Sequence, residues 1–241
     1  MATENHNIMD KRPYIEFAQT VLGVAYNDVD LLITAFTHRS YVNEHKKSVS
    51  VHNERLEFLG DAVLELVVTE FLYTNYEEPE GVLTNWRSAL VRTESISAAA
   101  SRNNFAPLLR LSRGEKHGSE RAREQIMANC YEAVIGSLYI DQGYEAAKAF
   151  ITNTLLPTLA GILDDGSWLD AKTRLQEVAQ STDGATPVYR VLEETGPDHD
   201  KVFTIGVFVR DTLLGQGNGS SKQAGQQKAA EAALSYYSNK K

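Results

Sequence analysis

The sequence predicts an all-α domain followed by a small α+β domain with the element order α-β-β-β-α. Apolar residues recur every three or four positions from Tyr14 to about Leu163, which is the spacing of one face of a helix. A polar, flexible stretch, Asp164-Asp165-Gly166-Ser167, then interrupts this pattern. Beyond it apolar and polar residues alternate, as they do along half-buried strands.

The helical pattern of the first domain, which we place at residues 12–163, is clearest in four segments. They are LLITAF (31–36), VLELVVTEFLY (63–73), SALVRTESISAAA (88–100) and YEAVIGSLYI (131–140).

Residues 164–169 are predicted to form a linker and residues 170–238 the second domain. KTRLQEVAQS (172–181) predicts its first helix, and an alanine-rich segment (220–237) predicts a last helix that begins at a serine cap. The strands are predicted in PVYRVLEE (187–194), KVFTIGVFV (201–209) and LLGQG (213–217).

Composition limits the class of protein. With 241 residues, of which 42% are hydrophobic, the chain can bury a core, and this excludes wholesale disorder. The single cysteine, Cys130, excludes an internal disulfide framework and suits a reducing cytosol, so we expect a cytoplasmic protein. The polar start lacks the apolar run of a signal peptide, and no window approaches eighteen uninterrupted apolar residues, so no membrane partner is expected.

The net charge of −8 argues, taken alone, against a nucleic-acid partner and is typical of a soluble surface. It is unevenly spread, however. Residues 1–165 contain 15 Lys and Arg against 23 Asp and Glu, whereas residues 166–241 contain 9 against 9. An acidic first part beside a neutral second part suggests two modules with different functions.

The stretch NERLEFLGDAVLE (53–65) places four carboxylates, at spacings of three, four and four, on one face of a helix. A solvated face is the common explanation for such a pattern. Two features argue against it: the positions between the acids are mostly apolar, so the helix is expected to be largely buried, and Arg55 is the only basic residue in the stretch. Buried carboxylates are costly unless a cation is near, and a bound metal ion is one such cation. The four acids are Glu54, Glu57, Asp61 and Glu65.

A second polar cluster, Asn129 and Glu132, lies one turn apart on another helix that is otherwise apolar, and Glu80 stands at a helix start. Oxygen ligands from two packed helices suit a hard cation, Mg²⁺ or Mn²⁺. No Cys/His spacing resembles a zinc site. The seven-residue spacing of three histidines is interpreted as accidental; these are His38, His45 and His52.

The segment ERLEFLGD (54–61) resembles the signature of the ribonuclease III family of double-strand-specific endonucleases. Matching segments follow in the expected order: LLITAFTHRSY (31–41) before it, and EGVLTNWRSALVR (80–92) and YEAVIGSLYIDQG (131–143) after it. Residues 172–237 resemble a double-stranded RNA-binding domain. The resemblance therefore implies an all-α endonuclease domain followed by a small α+β double-stranded RNA-binding domain.

This resemblance implies Mg²⁺ as cofactor, with Mn²⁺ as a plausible substitute, and a homodimer that places two sites across one RNA duplex. It makes Asp61 and Glu132 catalytic and leaves Glu65 without a role, as a solvated residue. The implied metal ligands are Glu57, Asp61, Asn129 and Glu132, with Glu54 and Glu80 as supporting acids lining the cleft. Where the family usually has Asp this chain has Asn129, whose amide brings no charge, so weaker metal binding is expected rather than its loss.

Phe58 is implied at the subunit contact, with a simple core position as the alternative. The implied reaction is metal-assisted hydrolysis of a phosphodiester without a protein nucleophile. It leaves a 5′-phosphate and a 3′-hydroxyl, with a short 3′ overhang.

In the second domain, three glycines in GQGNGSSKQ (215–223) are compatible with a phosphate-binding loop, but the parallel βαβ unit of a dinucleotide fold is missing. The resemblance instead makes this a loop before the last helix, whose N-terminus faces RNA phosphates. It implies RNA contacts at Gln176, Glu177, His199, Ser221 and Lys222. Gln223 and Gln226 stand where the family has basic residues, so modest affinity is expected from this domain, with the dimer supplying avidity.

The function predicted from these features is cleavage of double-stranded RNA during the processing of rRNA and mRNA. Two alternatives remain at this point. Asn129 favours a catalytically weakened or silent member that only binds RNA, and the other retained acids argue against it. A DNA-directed nuclease conflicts with a second domain that suits A-form helices.

Overall fold

The structure is a computed structural model that describes residues 9–164, 166, 168–197 and 201–238. The chain divides into two compact units, Met1–Asp164 and Asp165–Lys241. Residues 165 and 167 of the predicted linker lie outside the described residues, so its extent stays a prediction.

The first unit is built from α-helices, as predicted. They are α1 (Arg12–Phe17), α2 (Val29–Ala35), α3 (Arg39–Glu44), α4 (Glu54–Asn75), α5 (Glu80–Val91), α6 (Thr93–Arg102), α7 (Arg113–Lys116), α8 (Glu120–Gln142), α9 (Tyr144–Thr154) and α10 (Leu159–Asp164). A π-helical turn (Ala18–Leu22) extends α1, and short 3-10 turns lie at Ala106–Leu108 and Leu156–Thr158.

The two long helices, α4 and α8, cross at their backbones because each has a glycine at the crossing. A Cβ atom on Gly60 would lie 1.7 Å from the backbone oxygen of Glu132, and one on Gly136 would lie 2.2 Å from that of Leu56. Both distances are far below van der Waals contact, so only glycine permits this approach. Glycine costs a helix interior about 1 kcal/mol relative to alanine, which the close packing of the two helices offsets.

Aromatic rings fill the core beside α8. The ring centroids of Phe17, Phe36 and Phe105 lie 5.2–5.3 Å from one another, and Tyr131 of α8 and Phe150 of α9 continue the cluster. These rings anchor α8 and therefore fix the helix that carries Asn129 and Glu132.

One apolar stretch in the described part of the chain, Tyr144–Asp164, is long enough for a membrane span by length and composition alone. It is not one continuous helix, because the 3-10 turn containing Pro157 separates α9 from α10. Its apolar residues Phe150, Ile151 and Leu159 are buried in the first unit, which is the behaviour of a core segment.

The second unit has the predicted order α-β-β-β-α. Its elements are α11 (Ala171–Asp183), β1 (Val188–Thr195), β2 (Val202–Val209), β3 (Thr212–Gly219) and α12 (Lys222–Ser238). The strands pair antiparallel in the order β1-β2-β3, and both helices pack on one face of the sheet around Leu175, Ile205 and Ala229.

Gly215 and Gly217 lie in β3, which confirms the strand predicted at residues 213–217; β3 continues to Gly219, so the loop predicted from the resemblance at residues 215–223 is wrong for these three glycines. They alternate along β3 on the face that α12 covers, and a Cβ atom on Gly217 would lie 2.4 Å from the backbone nitrogen of Ala229. The missing side chains let the helix backbone rest on the strand. The predicted serine cap is present, since Ala224 donates its N–H to Ser221 Oγ at 3.2 Å.

Candidate functional site

The N-terminus of α4 is held in place by residues distant in sequence. The N–H of buried Asn53 donates to the Thr37 carbonyl at 2.9 Å, and Arg110 Nη1 donates to Thr37 Oγ1 at 3.1 Å. The Asn53 carbonyl in turn accepts the N–H of Glu57 at 2.9 Å. A chain of hydrogen bonds therefore links Arg110 to the backbone of Glu57, a predicted metal ligand.

The crossing of α4 and α8 brings together four of the residues singled out from the sequence. We call Glu57, Asp61, Asn129 and Glu132 the acidic cluster. The backbone of Glu132 touches Gly60, which lies between Glu57 and Asp61 in the sequence. The charges of both acids act on the Glu132 carboxyl, so the cluster behaves as one electrostatic unit.

The pKa values of two members are raised. Burial, together with the negative charges of Asp61 and Glu57, raises the pKa of Glu132 to about 8. Burial also raises the pKa of Glu57, as do the charges of Glu54 and Asp61, whereas a hydrogen bond with the Asn129 side chain lowers it. A nearby cation would favour the ionised forms of both.

In metal-free protein, Glu132→Gln should therefore increase stability, by more than about 1 kcal/mol at pH 8. The folded state binds the Glu132 proton more tightly than the unfolded state, whose pKa is the ordinary 4.5, so wild-type stability falls as pH rises from about 4.5 to about 8. Glutamine does not titrate. Urea unfolding in EDTA at pH 5 and pH 8 checks this, and a gain that does not grow with pH would contradict it.

The repulsion among the first four acids of α4, which lie on one face, is partly offset by cations from other elements. Glu54 lies 3.6 Å from Arg39 Nη1 and 3.8 Å from His52 Nδ1. Glu65 is partly exposed, as expected of a solvated residue, and it also pairs with Arg87 of α5 at 3.1 Å. These partners leave Glu57 and Asp61 as the two acids of α4 that interact with Glu132.

Asn129 serves as a hydrogen-bond partner within the cluster. Its Oδ1 accepts from Gln125 Nε2 at 2.7 Å, and its side chain bonds to the Glu57 carboxylate. Gln125 was not predicted from the sequence as part of the site, although its position one turn before Asn129 on the same helix indicates a contact. The amide oxygen has a second lone pair, so it could bind a metal ion while still accepting the bond from Gln125.

Glu80 does not lie with the acidic cluster within one chain. It is exposed at the start of α5 and borders a cavity of about 540 Å³ whose walls include Leu72, Tyr76 and Arg87. Leu72 is eleven residues beyond Asp61 on α4, which corresponds to roughly 16 Å along the helix axis. The structure thus gives no support, within a single chain, for Glu80 lining the same cleft as Asp61.

The donor set of the acidic cluster suits a hard divalent ion, because it consists of carboxylate and amide oxygens. In the conformation described, no three Asp, Glu, His or Cys side chains among the described residues are arranged to hold an ion. Like-charged carboxylates repel one another, so binding requires side chains to rotate inward on backbones that the α4–α8 crossing already holds.

The expectation that α4 is largely buried is wrong on one side. Phe58 is 82% exposed and Leu66 57% exposed, and Ala62 between them is exposed as well. Tyr139 and Ile140 of α8 are also exposed, and a groove of about 420 Å³ runs between the two helices. We call Phe58, Leu59, Ala62, Leu66, Tyr139 and Ile140 the apolar face. The alternative that Phe58 is a core residue is wrong.

In the second unit, Gln176 and Glu177 are exposed on α11, and Ser221 and Lys222 stand at the N-terminus of α12. His199 lies outside the described residues. Gln226, where a basic residue was expected, accepts a hydrogen bond from Lys172 Nζ at 2.8 Å and so joins α12 to α11.

The two units define a class of protein in which an all-helical domain with an acidic cluster precedes an α-β-β-β-α domain. Comparison with known families gives the same division. Residues 28–159 match a family described as ribonuclease-III-like, and residues 171–237 match the double-stranded RNA binding motif.

Among characterised relatives, ribonuclease 3 of Enterococcus faecalis is 44% identical over 216 residues, which cover 88% of this chain and 92% of the relative. Ribonuclease 3 of Streptococcus gordonii is 43% identical over 214 residues, covering 88% and 91%. The nuclease domain of ribonuclease III from Campylobacter jejuni superimposes with a TM-score of 0.53 and 35% identity, over 59% of this chain and 99% of that domain. The chain belongs to the ribonuclease III family.

Proposed function

We propose that this protein is a divalent-metal-dependent endoribonuclease that cleaves double-stranded RNA in the processing of rRNA and mRNA in the cytoplasm. The observation that carries the proposal is the acidic cluster at the α4–α8 crossing, in a chain that also has a double-stranded RNA-binding domain. The relatives are named as nucleases, which disfavours a family member that only binds RNA.

The residues of the cluster have separate roles in this proposal. A divalent ion, Mg²⁺ or in its place Mn²⁺, supplies an activated water and stabilises charge on the phosphate oxygens. Glu57, Asp61, Asn129 and Glu132 would hold the ion, and Asp61 and Glu132 would orient the reacting groups. Because Glu132 has a pKa of about 8 without a cation, binding the ion displaces its proton at neutral pH. Cleavage leaves a 5′-phosphate and a 3′-hydroxyl.

The direct test is incubation of the purified protein with end-labelled duplex RNA, with Mg²⁺ and with EDTA. A DNA duplex of the same sequence serves as the control substrate. Cleavage of RNA alone, and only with the metal ion, is the expected result. Binding without cleavage at any Mg²⁺ concentration would favour the RNA-binding alternative, and equal cleavage of DNA would overturn the substrate assignment.

Asn129→Asp should lower the Mg²⁺ concentration needed for half-maximal activity, and should raise activity more at limiting than at saturating Mg²⁺. The added carboxylate strengthens binding of a cation that Glu57 and Glu132 share. It also replaces a hydrogen-bond partner of Glu57 with a like charge, so the metal-free protein should become less stable.

An activity titration with Mg²⁺ and urea unfolding in EDTA measure the two effects. Asn85→Asp, on the exposed side of α5, is the matched control, because it adds the same charge away from the cluster. An unchanged Mg²⁺ midpoint in Asn129→Asp would remove residue 129 from the metal site.

We further propose that the protein is a homodimer through the apolar face. The large exposed fraction of Phe58 supports this, since contiguous exposed apolar surface commonly marks an interaction site. The C. jejuni relative has a region described as involved in dimer formation of its nuclease domain. Two chains would bring two acidic clusters to one duplex.

Phe58→Gln should raise the dimer dissociation constant at least about tenfold, because an aromatic residue at the centre of an interface contributes strongly to its stability. The full-length chain should weigh twice 26.7 kDa by light scattering. Val51→Gln, an exposed apolar residue before α4, is the control and should leave the dimer intact. A wild-type monomer at micromolar concentration would contradict the proposal.

A further inference from the structure

A single carboxylate in the second unit, that of Glu194 on β1, lies between two lysines from different segments. Its Oε1 is 3.5 Å from Lys222 Nζ, and its Oε2 is 3.8 Å from Lys201 Nζ. Lys222 is the first residue of α12, and Lys201 immediately precedes β2. Glu194 therefore bridges the ends of two elements on one edge of the unit.

Lys222 is the main cation at the start of α12. It is the only basic residue in the sequence from Lys222 to Gln227, since glutamine occupies positions 223 and 226. Its ammonium group also lies 5.6 Å from the ring centroid of Phe203, which fixes its direction. The unit as a whole is not basic, with nine Lys and Arg against nine Asp and Glu in residues 166–241. Neutralising Lys222 consequently removes a larger share of this unit's attraction for RNA than it would in a strongly basic domain.

We propose that Glu194 competes with RNA phosphates for Lys222 and Lys201, and thereby limits the affinity of this unit for duplex RNA. The inference rests on the proposed function and on the resemblance, which implies that the N-terminus of α12 faces the phosphates of the duplex. A carboxylate and a phosphate are both anionic acceptors for an ammonium group, and the two anions repel each other, so the carboxylate weakens the attraction of the lysines for phosphate.

The solvent exposure of Glu194 and Lys222 determines how much Glu194 lowers the affinity for RNA. The side chains of Lys222 and Glu194 are 58% and 39% exposed, so water and salt screen their attraction. Ion pairs of this kind change an equilibrium constant by at most about fivefold. Glu194 therefore moderates binding rather than preventing it.

The test measures binding of a fluorescent RNA duplex to the full-length protein in EDTA, which prevents cleavage, over a series of salt concentrations. Glu194→Gln should bind about three- to fivefold more tightly. For this variant the slope of log binding constant against log salt concentration should be more negative than for the wild type by up to about 0.9, because Lys222 then neutralises a phosphate fully. Glu193→Gln is the matched control, since this neighbour on β1 is exposed and forms no ion pair within the described residues.

A double-mutant cycle completes the test. Lys222→Ala should weaken duplex binding. In a protein that already carries Lys222→Ala, the substitution Glu194→Gln should have little further effect on affinity. Equal effects of Glu194→Gln and Glu193→Gln, or weaker binding by Glu194→Gln, would overturn the inference while leaving duplex binding itself established. Absence of duplex binding by the wild-type protein would instead overturn the proposed function.

Discussion

Glu132→Gln is expected to reduce cleavage of duplex RNA by more than about 100-fold while leaving duplex binding unchanged. Mutation of residues that only support metal ligands typically costs about 10–100-fold, so the loss of a ligand should cost more. Glutamine keeps the shape of the side chain and removes the only carboxylate that α8 contributes to the acidic cluster. Duplex binding should persist because the second unit is a separate compact unit.

The measurement is single-turnover cleavage at several Mg²⁺ concentrations, paired with duplex binding in EDTA. Glu124→Gln, two turns earlier on α8, controls for loss of a charge from the same helix. The same Glu132 variant should be more stable than wild type in EDTA at pH 8, which separates loss of a ligand from loss of the fold. Wild-type cleavage by this variant at ordinary Mg²⁺ would exclude Glu132 from the mechanism.

Gly60→Ala is expected to destabilise the protein by about 3 kcal/mol or more and to abolish cleavage. Overpacking a core usually costs about 1–3 kcal/mol, and here the new Cβ meets rigid backbone at 1.7 Å rather than a side chain that can turn away. The backbone it meets is that of Glu132. Separation of α4 from α8 would therefore also pull Glu132 away from Glu57 and Asp61.

Urea unfolding and cleavage assays check this expectation, and Gly161→Ala provides the control. Gly161 is also a helical glycine, in α10, but a Cβ atom there meets nothing within 4 Å. That control should be neutral or up to about 1 kcal/mol more stable, because alanine favours the helix. A Gly60→Ala protein with ordinary stability and activity would show that the helices do not cross as closely as described.

Local patterns in the sequence were sufficient for the two-part architecture and for the chemical type of the site. Period-three-and-four spacing predicted the helices of the first unit, and period-two alternation predicted the strands of the second, because both are properties of neighbouring residues. The intervals separating Glu54, Glu57 and Asp61 likewise placed these acids on one face of α4. The resemblance to the family added the link between α4 and α8.

The tertiary structure decided which partner each of these residues meets. Nothing in the spacing of α4 shows that Phe58 faces outward, or that Arg87 neutralises Glu65, because both depend on helices that pack from elsewhere in the chain. The spacing likewise does not show that Glu80 borders a cavity with Leu72 and Arg87, because that placement depends on how α5 packs on α4.

The glycines show the same division between local and tertiary information. Gly219 belongs to a segment with the composition of a loop, and Gly60 is unfavourable in an isolated helix, so local preference alone does not explain why β3 reaches Gly219 or why α4 contains Gly60. Each is needed because another backbone rests against it. The sequence by itself therefore determined the elements and the chemistry of the acids. The tertiary structure alone decided how closely these elements approach. A glycine permits a close approach, but only the packing shows which other backbone lies against it.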